Sequence, residues 1–213
     1  MADNKIVLIG GGGHCVSVID VIEQEGRFQI AGIVDKKNVG SKVLGYPIIA
    51  SDDELERLTK QYTHFLITVG HVLSNEARTR LFDELRKHGG KFPTIISPRA
   101  YVSKHATLGE GTIVMHNAFV NANAKVGQNT IINTGAIIEH DAKVGDHCHV
   151  STAAVVNGGC NIGDHAFIGS NAMIKQYLNI ANRVTVGAGS VVLENLSSNS
   201  TYVGNPAKLK QKP

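Results

Sequence analysis

Apolar positions along this chain follow two different rhythms, and the change falls near residue 96. In the first part, short apolar runs alternate with helical patterns. "KIVLIG" reads as a buried strand that runs into "GGGH", and the helix after it repeats Val18, Ile19, Val21 and Ile22 at helical spacing. "IAGIVD" is a second strand ending at Asp35, "DDELERLTKQ" a polar helix with an Asp cap, and "HFLITVG" a third strand. "SNEARTRLFDELRKHGG" is a capped helix closed by Gly89 and Gly90. Strands alternating with helices predict a small parallel sheet of βαβ type, an α/β domain over residues 1–96.

From Val102 the period becomes six. Every sixth residue, from Val102 through Leu108, Val114 and Val120 on to Val192, is Val, Ile or Leu. Four places after each stands Ala, Thr, Ser or Cys, except at Leu178, Val184 and Leu196. No helix has a six-residue period. A parallel β-helix does, if three six-residue faces make a coil of eighteen. The aliphatic side chain of each face then points inward, the small residue fits a corner, and coils stack about 4.8 Å apart. The fold predicted for residues 97–213 is therefore a parallel β-helix.

Composition removes several alternatives. The 213 residues are 42% hydrophobic, enough for a sizeable core. The net charge of +3 is spread without a basic run, and only 5% of residues are aromatic with no Trp, which gives nucleic acid neither a stripe nor a stacking platform. The apolar run Ile6 to Ile9 is far too short for a signal-peptide core or a membrane span, so a cytoplasmic location is expected. Cys15, Cys148 and Cys160 are odd in number and form no CxxC pair, so they read as small apolar fillers.

"TLGEGT", "KVGQNT", "NIGDHA" and "TVGAGS" resemble the hexapeptide repeats of the left-handed β-helix acyltransferases. Together with "GGGGH" near the start, "EHD" in the middle and "YVGNPAK" near the end, they make the chain similar to the bacterial nucleotide-sugar N-acetyltransferases of the UDP-4-amino-sugar type. The related sialic-acid O-acetyltransferases share the pattern. This resemblance implies a left-handed prism, a homotrimer, acetyl-CoA as co-substrate without a metal, and a nucleotide-linked amino sugar as acceptor in glycan biosynthesis. It implies a small Rossmann-like nucleotide-sugar domain at residues 1–96, and an acceptor that is a 4-amino-4,6-dideoxyhexose.

The histidines are the candidate chemistry. His140 falls at a corner, two places after Ile138 and flanked by Glu139 and Asp141, with Gly158 one coil on. Acyl transfer to an amine needs a base, and a neutral imidazole oriented by a carboxylate supplies one. The alternative is a structural corner residue. The family's motif places a base at His140 followed by an acid, here Asp141. By position, the resemblance carries acetyl-CoA contacts onto His149, which would bond the acetyl carbonyl, and onto Ser170 and Ala188 along the pantetheine. Lys208 would meet a CoA phosphate. His147 and His165 lie one coil apart on a shared edge and read as solvated corner residues; with no third ligand in register they hold no metal within one chain.

"GGGGH" follows a strand and opens a helix, where backbone N–H groups and the helix dipole favour phosphate. It is not a full dinucleotide fingerprint, because the third glycine would fall at Cys15. The resemblance assigns the diphosphate to Gly12, Gly13 and His14, the base or ribose to Asp35 and Lys36, and close approach of the ligand to Gly70. Here Lys36 and the "HVL" after Gly70 depart from the family's pattern. Three rival readings stand beside N-acetyl transfer: acetylation of a sugar hydroxyl, a trimeric metal enzyme of the carbonic anhydrase type, and a β-helix without catalysis.

Overall fold

The computed structural model describes residues 4–71, 74–197 and 199–210. Its contacts divide into two compact units, Met1–Ile95 and Ile96–Pro213.

In the first unit, β1 (Lys5–Ile9) is buried along Ile6 to Ile9 and leads into α1 (Gly13–Glu25), which turns Cys15, Val18, Ile19, Val21 and Ile22 onto the sheet. Next come β2 (Gln29–Val34), β3 (Lys42–Val43), β4 (Tyr46–Ala50), α2 (Leu55–Thr59), β5 (His64–Ile67) and α3 (Glu76–Lys87). The sheet order is β3-β4-β2-β1-β5, with β4, β2, β1 and β5 parallel and β3 antiparallel on the edge. The β3–β4 hairpin turns at Leu44 and Gly45, both at positive φ; no apolar alternation long enough to announce it precedes that turn.

Three local expectations change. The second strand stops at Val34, which leaves Asp35 in the loop beyond it. The predicted polar helix is a 3₁₀ turn, Asp52–Glu54, followed by the five residues of α2, and no Asp side chain caps it. Before α3 the N-cap Asn75 makes no side-chain capping bond, and the Ser74 hydroxyl accepts the Glu76 N–H at 3.2 Å instead.

The second unit is a parallel β-helix built from two-residue strands. Face one holds Tyr101–Val102, Phe119–Val120 and their repeats to Val191–Val192; face two runs from Thr107–Leu108 to Asn179–Ile180; face three runs from Ile113–Val114 to Thr185–Val186. Each strand pairs in parallel with the one eighteen residues on, as Ile137↔Val155 and Ile138↔Val156 do. The inward aliphatics from Val114 to Val192 are all buried, and the small corner residues, Cys148 and Cys160 included, pack with them. Only Val102 and Leu108, on the first coil, remain half-buried.

The corners obey a second rule. At every sixth residue from Gly111 to Gly189 the backbone has positive φ. Gly111, Gly135, Gly159 and Gly189 fill four of these positions; Asn117, Asn123, Asn129, Asn171, Asp141, His147 and His165 fill seven more. Asn, Asp and His are the residues that tolerate this left-handed region after Gly. The eighteen-residue register ends at the last coil, where Thr185 pairs with Thr201 and Ile180 bridges Leu196.

Candidate active site

His140 sits at the corner between faces one and two, after Ile137–Ile138 and before Lys143–Val144. Asp141 occupies the left-handed position, φ 61°. That turn folds its carboxylate back onto the imidazole, with Oδ2 2.8 Å from His140 Nδ1. One coil earlier, Asn123 donates its amide to Asp141 Oδ1 at 2.5 Å. The hydrogen bond from His140, and after it that from Asn123, holds the Asp141 carboxyl below the ordinary carboxylate range. An ionised carboxylate only accepts, so the ring carries its proton on Nδ1 and presents the Nε2 lone pair.

The other flanking acid does different work. Glu139 Oε2 accepts the Asn121 amide at 2.6 Å and the His140 backbone N–H at 3.3 Å. The imidazole lies against Gly158 on the next coil: a Cβ there would stand 2.8 Å from both Cε1 and Nε2. Both His140 and Asp141 are about half exposed, at 55%. A tautomer fixed by a carboxylate, with the other nitrogen open over a bare glycine, is the arrangement a general base requires.

His149, Ser170 and Ala188 lie elsewhere on the same prism. His149 opens a face-three strand, and Ser170 and Ala188 follow Ile168 and Val186 at the corner between faces three and one. In a triangular coil, the corner between faces one and two is opposite face three. One chain therefore brings His140 and Asp141 together, and His149, Ser170 and Ala188 together, but does not join the two sets. His149 is buried at 6% exposure rather than superficial, packed edge-on to Phe167. Its Nε2 accepts the Asn133 amide at 3.0 Å, and Asn133 Oδ1 accepts the Thr134 N–H, which fixes the amide's orientation and puts the ring proton on Nδ1. The Ser170 and Ser151 hydroxyls are 3.0 Å apart, and Ala188 is exposed.

His147 corrects the expectation of solvated corners: it is 7% exposed. Its ring stacks on that of His165, centroids 5.1 Å apart and planes 11° apart, while Nδ1 faces the Asn129 amide at 2.9 Å. Both histidines fill left-handed corner positions, which explains their presence without a ligand. Among the described residues, no three His, Cys, Asp or Glu side chains are placed to hold a metal.

In the first unit, Gly12, Gly13, His14, Asp35, Lys36 and Gly70 all fall beyond the carboxyl ends of the adjacent strands β1, β2 and β5. In an open parallel sheet that is where ligands bind, at the point where strand order reverses. Gly10, at φ 109°, has to be glycine because a Cβ would lie 2.8 Å from the Val69 backbone nitrogen. Gly12, the N-cap of α1, and Gly13 are exposed, and nothing lies within 4 Å of where their Cβ atoms would be. Asp35 accepts the Gly11 N–H at 2.7 Å on one oxygen and the Lys37 N–H at 2.9 Å on the other, tying the glycine loop to the turn after β2. Lys36 is exposed, 3.7 Å from Asp52. A cleft of about 240 Å³ opens at this end among Gly10, Asp35, Lys36, Lys37, Asp52 and Arg80. Of the "HVL" that departs from the family pattern, Val72 and Leu73 lie outside the described residues.

Four features escaped the reading of the sequence. Asn123 is visible only once residues eighteen apart are paired. Arg78, a charged residue within α3, is fully buried and donates to the Ile67 and Val69 carbonyls at the end of β5. Tyr177 stands exposed at a corner. An open groove of about 700 Å³ runs along face two, floored by Gly127, Gly145 and Gly163 and edged by Lys125 and Lys143, and none of the predicted acetyl-CoA contacts lines it.

A β-helix with an imidazole–carboxylate pair at an exposed corner, in one chain with an α/β unit that carries an open glycine loop, defines the class of hexapeptide-repeat acyltransferases. Residues 5–85 match the family described as the PglD N-terminal domain. Over 115 residues the chain is 34% identical to UDP-N-acetylbacillosamine N-acetyltransferase of Bacillus subtilis (strain 168), covering 52% of this chain and 50% of that enzyme. Its fold overlays perosamine N-acetyltransferase from Caulobacter crescentus, in a crystal structure of a variant with CoA and GDP-perosamine, with a TM-score of 0.92 and 35% identity over 99% of both chains. The acetyltransferase domain of PglB from Neisseria gonorrhoeae FA1090 gives 0.91 and 32% identity, over 97% of this chain and 100% of that one; a second structure of that domain contains acetyl coenzyme A. The chain belongs to this family of bacterial nucleotide-amino-sugar N-acetyltransferases, and its β-helix is of the left-handed type. No helix among the described residues is long and apolar enough to cross a membrane.

Proposed function

We propose that this protein transfers acetyl from acetyl-CoA to the amino group of a nucleotide-linked amino sugar, a 4-amino-4,6-dideoxyhexose, in the cytoplasm. The observation that carries the reading is the His140–Asp141 pair, whose unencumbered nitrogen lies over Gly158. Acetyl-CoA supplies the activated acyl carbon. His140 Nε2 takes the proton from the acceptor nitrogen as that nitrogen bonds to the carbonyl carbon and the C–S bond breaks. Asp141 stabilises the imidazolium that results, and the proton is then available to the departing thiolate.

The sugar nucleotide binds at the carboxyl ends of β1, β2 and β5, with its diphosphate at Gly12, Gly13 and His14. The opposed placement of His140 and His149 supports an acyl site built from two copies, the homotrimer this family implies. One protomer contributes His140 and its face-two groove. The next contributes His149, Ser170 and Ala188. Lys125 and Lys143, paired in register with like charge, favour an anionic occupant for that groove.

Two experiments test this. Free-thiol release from acetyl-CoA should accompany a 4-amino sugar nucleotide and not its 4-hydroxy counterpart; the reverse preference would make the protein an O-acetyltransferase. Mixing inactive His140→Ala and His149→Ala chains, then reassembling them, should restore about one quarter of wild-type turnover, since about one interface in four would pair intact histidines. No recovery would place both roles within one chain.

A further inference from the structure

Tyr177, with Ala153 and Arg183, departs from the corner rule, and it is the aromatic among them. Its φ is 61°, in the left-handed region where a bulky aromatic is an outlier and where L-residues other than Gly pay a steric cost. It is also the most exposed large apolar side chain among the described residues, at 72%. The backbone conformation is imposed by the coil, where Tyr177 N–H donates to the Gly158 carbonyl at 3.0 Å. Neither burial nor local propensity explains a tyrosine there. Strained residues held in place by the surrounding structure cluster at active sites and ligand clamps.

Its neighbours say what it faces. The ring reaches back over Gly159, one coil earlier, where a Cβ would collide with the Tyr177 ring. On the same coil His140 Nε2 lies over Gly158. From opposite sides, His140 and Tyr177 thus converge on a Gly158–Gly159 pair that has no side chains. Each ring covers one glycine of the pair, which sets the base at one end of the dipeptide and an exposed aromatic ring at the other.

We propose that Tyr177 determines acceptor binding: its exposed ring stacks on the apolar C–H face of the amino sugar's pyranose and seats the amine at His140 Nε2. The inference rests on the amino-sugar acceptor proposed above. A deoxyhexose, with more C–H surface than a fully hydroxylated sugar, suits such a wall.

Steady-state kinetics of Tyr177→Gly and Tyr177→Phe test it. Glycine relieves the backbone, so Tyr177→Gly should melt no lower than wild type and stay oligomeric, while its KM for the amino-sugar nucleotide rises roughly three- to tenfold. KM for acetyl-CoA should stay unchanged, and Tyr177→Phe should keep the wild-type acceptor KM. An unchanged acceptor KM in the glycine variant overturns the proposal. So does a lower melting temperature or loss of the oligomer, either of which would make the ring a packing or interface element. If the wild type releases no thiol with any amino-sugar nucleotide, the acetyl-transfer reading falls and takes this one with it; an active wild type with an indifferent glycine variant sinks Tyr177 alone.

Discussion

One coil carries the same two residues at two corners in opposite order: His140–Asp141 between faces one and two, and Asp146–His147 between faces two and three. At the first corner the acid takes the left-handed position, and its carboxylate curls back to the ring that precedes it. At the second, histidine takes that position and the acid turns away. Asp146 Oδ1 accepts the Gln128 N–H at 2.9 Å and Oδ2 the Gln128 amide at 3.0 Å, so its carboxylate serves the coil stack. The displaced imidazole is buried and stacked on His165. Within this scaffold, composition alone does not bring an imidazole onto a carboxylate. The position of the imidazole relative to the left-handed residue does.

The largest effect that separates the corners is on turnover. His140→Ala should lower kcat by roughly 10² to 10⁴ with an unchanged melting temperature, because the half-exposed ring is the proposed base and contributes little packing. His147→Ala should do the reverse: turnover within about threefold of wild type, and a loss of about 1–2 kcal/mol of stability from the vacated stack and its polar contact. Stopped assays beside thermal melts read both. A catalytic loss at His147 equal to that at His140 would erase the distinction. Asp141 titrates below its unfolded value, so the stability it contributes is present above the usual carboxylate range and is lost as pH falls through its folded value.

A smaller and more selective effect belongs to Gly158. The imidazole of His140 fills the space that a Cβ would take, so Gly158→Ala should displace the ring and cut kcat roughly 10- to 100-fold. The imidazole is the far end of a mobile side chain and can swing aside, so the fold should keep its melting temperature. A stable variant with full activity would mean that the acceptor does not approach over that glycine.

Much of this contrast was legible in the residues. The six-residue ruler placed the inward aliphatics, the stack of His147 on His165 and the proximity of His140 to Gly158, because in a β-helix register follows from counting. Burial of His147 and His149 was not legible, since it depends on what packs over outward faces, which periodicity does not encode. Asn123 was missed because its meaning arises only through Asp141, eighteen residues away, whose turn folds the carboxylate within its reach. In the first unit the strands carried clear apolar runs, whereas the short β3–β4 hairpin depends on turn chemistry at Leu44 and Gly45. Tyr177 was hidden for the opposite reason: at a position favouring Gly, Asn, Asp or His, nothing in the pattern announces an aromatic.

The smallest expected effect lies between the two imidazoles of the buried side, at Cys148. Its Sγ sits 3.1 Å from the Gly163 carbonyl, and burial pushes the thiol up to about 12. Cys15 is raised to about 11, again chiefly by burial. Native protein at pH 8 should therefore resist alkylation at all three buried thiols. A group whose folded value is raised supports the fold below its unfolded value and loses that support as pH climbs, so stability should decline between about pH 9 and 12. Cys148→Ala should cost no more than about 1 kcal/mol, because alanine fills the equivalent small slot at Ala118, Ala136, Ala154, Ala166 and Ala172. It should also flatten part of the alkaline decline, since the burial-shifted thiol is gone. Rapid labelling of Cys148 in the native protein would show the His147–His149 side opening to solvent, and the contrast between a closed corner and an exposed one would then no longer hold.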